Sequence, residues 1–203
     1  NTGALADPLG PTASPAATWE VRLDAGSLAS PTTDGETVFV GDDAGTLYAL
    51  AASDGTERWR TELDGYVRSA PAVVTGEGTL FALDAATGEE RWQHTHDGST
   101  DGLPAATSSP TVVDDVVYYA APAGTVSALT TGGEVAWATP VDGESYGTPA
   151  VVDGVVYVGD TEQSVYALSA STGETRWVQS TAGAVRSSVT VTNGVAVVGT
   201  WGG

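Results

Sequence analysis

The sequence predicts an all-β fold, a β-propeller of four-stranded antiparallel blades. Three observations carry this. The phrase Ala82-Leu83-Asp84-Ala85-Ala86-Thr87-Gly88-Glu89-Glu90-Arg91-Trp92 returns as Ala167-Leu168-Ser169-Ala170-Ser171-Thr172-Gly173-Glu174-Thr175-Arg176-Trp177. Reduced echoes run from Ala49-Leu50 to Trp59 and from Ala128-Leu129 to Trp137. Between the echoes lie short runs of β-branched and aromatic residues bounded by Gly, Asp or Pro, which is strand chemistry with turn punctuation. Strand-rich units repeating about every 40 residues mark propeller blades.

Residues 1–17 are rich in Ala, Pro, Gly and Thr without periodicity and read as an extended leader. Thr18 to Leu23 then supplies a strand carrying Trp19. Repeat units follow at about 27–63, 67–96, 107–141 and 147–181, with a partial unit at 185–203. The fourth unit shows the plan most clearly. Ala150-Val151-Val152 follows Pro149 as a first strand, and Asp153-Gly154 turns into a second, Val155 to Gly159. Asp-Gly between apolar runs is a strong hairpin signal. Val165-Tyr166-Ala167-Leu168 forms a third strand, and Thr172-Gly173 turns into a fourth that carries Trp177. Thr37 to Val40, Thr46 to Leu50 and Val116 to Tyr119 fill corresponding places. No run has helical period at helix length.

The array is irregular. From the opening Pro to the Leu of Ala-Leu the separation is 19 in three units (Pro31 to Leu50, Pro110 to Leu129, Pro149 to Leu168) but 12 from Pro71 to Leu83. Val74 runs into Thr75-Gly76-Glu77-Gly78, so the second unit is expected to lack the strand equivalent to Val155–Gly159. Trp92 to Trp137 spans 45 residues against 40 for Trp137 to Trp177, which places an insertion near Asp97–Ala106. Val185 to Gly199 supplies two strands of a fifth unit before Trp201-Gly202-Gly203. About four and a half repeats result. They form either part of a larger propeller or a reduced five-position ring, in which residues 18–23 close the last blade and cover its edge.

Charge narrows the partners. Asp and Glu total 26 against seven Arg and no Lys, a formal charge of −19. That excludes binding to a nucleic-acid backbone, which requires neutralising cations, and disfavours an anionic membrane surface. The acids are dispersed, as expected of a surface adapted to high salt, where self-repulsion is screened. Absence of Cys excludes disulfides, thiol catalysis and Cys-based metal sites. No run approaches the roughly 18 apolar residues of a membrane span. The chain contains no Met and is expected to begin at a processed or cloned end.

The pattern Ala-x-Asp-x-x-Thr-Gly-x-x-x-Trp resembles the tryptophan-docking motif of the pyrroloquinoline-quinone-type (PQQ-like) propeller repeat. Residues 82–92 match it in full, and residues 167–177 except at Ser169. Residues 49–59 carry Asp54 for Thr, and residues 128–137 are one residue short. The resemblance spans about residues 18–200 and implies a propeller of seven or eight blades. It assigns Trp59, Trp92, Trp137 and Trp177 to docking between blades, with an indole N–H to satisfy. Asn1-Thr2-Gly3, Pro8 and Gly10-Pro11 before Trp19 resemble the lead-in of exported haloarchaeal members, often lipoproteins. The repeat is also similar to that of outer-membrane assembly factors of the BamB type.

Catalysis finds little support. A quinoprotein dehydrogenase, as the resemblance would have it, holds a quinone and a calcium or lanthanide ion through carboxylate and amide side chains, and often uses a vicinal Cys pair. This chain has no Cys, and its Asn residues are Asn1 and Asn193. His94 and His96, with Asp97 and Asp101 nearby, could suit a metal, but His-x-His also fits the polar face of an outer strand. Asp42, Asp43 and Asp160 offer oxygens to calcium, yet Asp before a Gly turn is ordinary loop chemistry. No cofactor is expected, and no spacing suggests a Ser-His-Asp triad.

Propellers bind ligands at loops around the central channel. Loops that approach the first strand and loops that leave the second are expected to share one face. That places Tyr66, Arg68, Tyr146, Arg186, Asp42, Asp43 and Asp160 on a common rim, with Val67-Arg68-Ser69 and Val185-Arg186-Ser187 equivalent. The expected function is a non-catalytic binding or scaffold module, exported and surface-associated, anchored by lipid through a further segment. Its ligand would be a protein or small molecule at the channel face. The alternatives are a fragment of a PQQ-dependent dehydrogenase and the sensor domain of a larger receptor.

Overall fold

The computed structural model describes residues 17–67, 73–74, 79–95, 108–121 and 123–202. The expected leader, apart from residue 17, and the insertion near Asp97–Ala106 lie outside the described residues. The described secondary structure is all β.

Strands β1 (Thr32–Thr33), β2 (Thr37–Gly41), β3 (Thr46–Ala51) and β4 (Glu57–Glu62) pair in that order as the first blade. The second contains β5 (Val73–Val74), β6 (Thr79–Leu83) and β7 (Glu90–Thr95). Two further four-stranded sheets are β8 (Thr111–Val113), β9 (Val116–Ala121), β10 (Thr125–Thr130) and β11 (Val135–Pro140), then β12 (Ala150–Val152), β13 (Val155–Gly159), β14 (Ser164–Ser169) and β15 (Thr175–Ser180). The partial unit holds β16 (Ala184–Val185), β17 (Thr190–Thr192), β18 (Val195–Val197) and β19 (Thr200–Trp201), paired as β17 with β18 and β16 with β19. The neighbouring strands in each sheet are antiparallel. The inner strand β12 lies against β8 on one side and β17 on the other.

In the third, fourth and fifth units the first-to-second strand hairpins turn where both central residues have positive φ. Asp153 and Gly154 stand at φ 50° and 71°, and Asn193 and Gly194 at 49° and 74°. Such turns match the twist of the flanking strands. In the third unit Asp114 and Asp115, both non-glycine, take φ 49° and 61°. Asp is one of the few side chains that tolerate this region.

The second unit corrects one expectation. Val73 pairs with Phe81, as Val40 pairs with Tyr48 in the first blade, so β5 stands in the second-strand position. Among the described residues it is the inner, first strand that this blade lacks, not the second. The physical reason is the short link 75–78, which can join only neighbouring antiparallel strands. Residues 18–23, expected as a closing strand, pair with no strand among the described residues.

The Ala-Leu phrase acquires its meaning in the register. Ala49, Ala82, Ala128 and Ala167 each stand opposite the Trp of the fourth strand: Trp59, Trp92, Trp137 and Trp177. Immediately after each Ala the register shifts, so that Leu50 faces Glu57 and Leu168 faces Thr175. This bulge increases local twist and aims the indole outward, over the next blade. The small Ala leaves room for the ring.

The core lies between blades. Tyr118, Ala120, Val126 and Trp137 of the third unit pack with Val156, Val158, Tyr166 and Leu168 of the fourth. Leu80 packs with Val117, Tyr119 and Leu129, and Trp19 and Leu23 cover Val40, Tyr48 and Leu50. Each fully buried Leu or Val contributes about 1.5–3 kcal/mol.

Candidate functional site

The eye-catching tryptophans are used in the fold. The indole N–H of Trp19 donates to the Ala52 carbonyl at 3.0 Å, Trp59 to Ala85 at 3.0 Å, Trp92 to Thr131 at 2.8 Å and Trp137 to Ala170 at 2.9 Å. Each ring covers the turn glycine of the next unit: Gly55, Gly88, Gly133 and Gly173, all at positive φ. A Cβ on these glycines would come within 2.6–2.8 Å of ring carbons, so only Gly fits on both steric and backbone grounds. Trp177 differs. It is 42% exposed and donates to no described carbonyl. Its expected docking is therefore not seen among the described residues, which include no third strand or Thr-Gly turn in the fifth unit.

The shortened repeat keeps the same socket. Gly55, Gly88 and Gly173 bond back to the carbonyl four residues earlier, in Ala51, Asp84 and Ser169. Gly133 bonds to Thr130, three residues earlier, and Trp92 still covers it. Departures from the motif are repaired locally. Asp54, standing for Thr, accepts the Thr56 N–H at 2.9 Å, the bond that Thr87 Oγ1 accepts from Glu89.

The rim is built by a second repeated device. The glycine closing a second strand meets the residue that leads toward the next unit. A Cβ on Gly41 would lie 2.2 Å from Val67 Cγ1, and one on Gly159 2.2 Å from Val185 Cγ1. Val67 N–H donates to the Asp42 carbonyl and Val185 N–H to the Asp160 carbonyl. From the other side, Ser27 Oγ donates to the Gly41 carbonyl at 2.6 Å and Ser145 Oγ to that of Gly159 at 2.8 Å. These locks fix Val67 and Val185 against the ends of the second strands, and Val185 carries Arg186 with it.

Asp42 and Asp160 are fully buried rather than displayed on that face. Asp42 Oδ1 accepts the N–H groups of Ala44 and Thr46, and Oδ2 accepts the Tyr48 hydroxyl at 3.0 Å. Asp160 Oδ1 accepts Ser164 N–H and Oδ2 accepts Gly143 N–H. Both carboxylates close the turn between second and third strands, because a buried charge must be hydrogen-bonded to persist. Asp43 is half-buried, its N–H donating to the Gly26 carbonyl.

Tyr146 and Arg186 are brought together. The Arg186 guanidinium lies over the Tyr146 ring, 5.2 Å from its centroid, and also over the Trp201 ring at 5.6 Å. The Tyr146 hydroxyl donates to Glu144 Oε2 at 2.6 Å. Burial, then the Glu144 contact, push the Tyr146 pKa up, and Arg186 opposes them. Tyr66 is 48% exposed in an equivalent approach segment. Arg68 lies outside the described residues, as do His96, Asp97 and Asp101. His94 sits on β7 opposite Leu80. Among the described residues no cluster of three His, Asp or Glu could hold a metal ion.

Two participants were not among the residues assigned to docking or to the rim, and one of them carried a sequence signal. Trp19 stands 40 residues before Trp59 and docks as the others do. Trp201 has no such period. It reaches Arg186 because β19 pairs with β16, placing Trp201 opposite Ala184.

The sequence model of the family described as outer membrane protein assembly factor BamB matches residues 12–148 and again residues 76–203. Among curated proteins none matches the chain. The structure of BamB from Moraxella catarrhalis is similar at a TM-score of 0.69 and 25% identity, covering 77% of this chain and 53% of that one. A computationally designed protein, Ika8, is similar at 0.67 and 17% identity, covering 84% of this chain and 54% of its own. A europium-containing methanol dehydrogenase is similar at 0.63 and 18% identity, covering 76% and 41%. The chain thus spans about half the length of the structures it matches.

Proposed function

The chain belongs to the family of the outer membrane protein assembly factor BamB, and from that premise we propose that it is a non-catalytic propeller module that binds a protein partner at its loop rim. The observation that carries this reading is the division of labour among its conspicuous residues. Four of the six tryptophans and the buried Asp42 and Asp160 are committed to holding blades and turns. Tyr66 and the Tyr146–Arg186 pair present aromatic and cationic surface on the loop face. Aromatic residues and Arg are the side chains that most often dominate binding energy. We further propose that the module works outside the cell at a salt-adapted surface, held there by a lipid anchor, without a quinone or calcium.

The test compares partner recovery from the native surface fraction by the chain and three variants. Tyr146→Ala and Tyr66→Ala are expected to lose a partner that Val178→Ser, altered on the exposed outer strand β15, retains. Equal recovery by all variants would remove the rim from consideration.

A dehydrogenase fragment is the second reading, favoured by the likeness to methanol dehydrogenase at the level of fold. Fold alone does not carry function.

A further inference from the structure

The seven arginines of this acidic chain are not equivalent. Arg60 is paired with Asp24 and Glu57, and Arg91 with Asp84. Arg58 donates to Thr37 Oγ1 and Arg176 to the Gly154 carbonyl. Arg186 has neither an ion pair nor a hydrogen-bond acceptor among the described residues, although Glu144 stands on the same Tyr146 hydroxyl. What holds Arg186 is aromatic: its guanidinium lies over the rings of Tyr146 and Trp201. Arg22 is also unpaired among the described residues but has no ring beneath it.

This arrangement has a chemical consequence. Ring contact uses the flat face of a guanidinium and orders it, while the N–H donors project in its plane. An Arg held by its face keeps its fork ready for a planar acceptor, and less freedom is lost when that acceptor binds. Beside the fork runs an open groove of about 510 Å3, lined by Arg186, Ser187, Gly199, Thr200, Trp201 and Gly202. Glycine and hydroxyl residues give it backbone and side-chain partners for an extended peptide.

We propose, building on the rim reading above, that Arg186, held over Tyr146 and Trp201, is a receptor for a single carboxylate side chain carried by an extended peptide segment of the partner. The match is geometric, since a carboxylate and a guanidinium form two parallel N–H···O bonds. The chain's own charge selects the carrier. A net charge of −19 repels polyanions such as a nucleic acid. One carboxylate on an otherwise neutral or basic segment meets Arg186 at contact range, while charges beyond about 8 Å are screened at physiological ionic strength.

The experiment follows the arginine Nε–H resonances of the full chain by nitrogen-15 NMR, the Arg186 signal being the one lost in Arg186→Lys. The probe is acetyl-Ala-Glu-Ala-amide, with acetyl-Ala-Gln-Ala-amide as its uncharged twin. The Glu peptide is expected to shift the Arg186 signal saturably and the Gln peptide to leave it in place. Trp201→Ala is expected to weaken the Glu peptide up to about tenfold, the scale of one cation–π contact, with backbone dispersion retained. Arg186→Lys, which keeps the charge and loses the fork, is expected to weaken it comparably, read on the Ser187 amide. The proposal is overturned by no saturable shift, by equal shifts from both peptides, or by inorganic phosphate moving Arg186 as strongly as the Glu peptide. A silent Glu peptide alongside rim-dependent partner recovery removes this inference alone. A Glu peptide that binds while rim variants keep their partner removes the rim reading alone.

Discussion

Trp59 lies flat against Gly88, its Cε3 2.6 Å from where a glycine Cβ would stand, while its N–H bonds the Ala85 carbonyl three residues before. The two residues belong to different blades, and the same relationship joins Trp92 to Gly133 and Trp137 to Gly173. Gly88→Ala is therefore expected to cost more than positive φ alone. Gly154 gives the control, since it stands at φ 71° with nothing within 4 Å of its would-be Cβ. Gly154→Ala is expected to cost about 1–2 kcal/mol, the left-handed backbone penalty. Gly88→Ala adds overpacking of about 1–3 kcal/mol. Urea unfolding of the two variants checks the difference, and equal costs would show that the ring is not seated on the glycine.

Asp42 and Asp43 are neighbours with different work. Asp42→Ala strands three donors in a buried turn and is expected to destabilise by about 2–4 kcal/mol. Asp43→Ala, at a half-buried site, is expected to cost under about 1 kcal/mol. Thermal unfolding of both variants measures this. A stable Asp42→Ala variant would return Asp42 to the rim as a binding residue.

Acid should weaken the fold through turn carboxylates. Arg91, followed by the Ala86 and Thr87 N–H groups, holds the Asp84 carboxyl below the usual carboxylate range. Thr37 and Glu36 N–H groups do so for Asp34, and Thr56 for Asp54. A carboxyl depressed in the folded state stabilises above its unfolded pKa of about 3.9, and the contribution is lost as pH falls through the folded value. Denaturant midpoints are thus expected to fall below about pH 4. The fall should be shallower in Asp84→Asn. An identical acid profile in that variant would show that Asp84 is not linked to folding.

Salt should do the opposite. With 26 acids against seven arginines, repulsion is unscreened at low ionic strength. The melting temperature is expected to rise as KCl is raised from about 0.1 M to about 1 M, where the Debye length shortens from about 10 to about 3 Å. A flat or falling curve would remove salt adaptation from the account.

The fold was legible because repetition supplies its own alignment. Ala opposite Trp, Gly beneath Trp and the Asp-Gly hairpin all rest on short-range chemistry stated several times. What escaped was positional. Asp42 and Asp160 look solvated beside glycines, and only the turn geometry shows their oxygens directed inward. Val73–Val74 follows a Pro as first strands do, yet its pairing with β6 puts it in second place. Tyr146 and Arg186, expected near one another, do meet, whereas Trp201 joins them through the β16–β19 pairing, which no period announces.

The proposed function makes this propeller a binding module with no quinone chemistry of its own. Calorimetric titration of the full chain with pyrroloquinoline quinone, in the presence of calcium, tests it most directly. No saturable heat is expected. Saturable binding of the quinone, lost in Arg186→Ala, would contradict the account and give the rim to a redox cofactor.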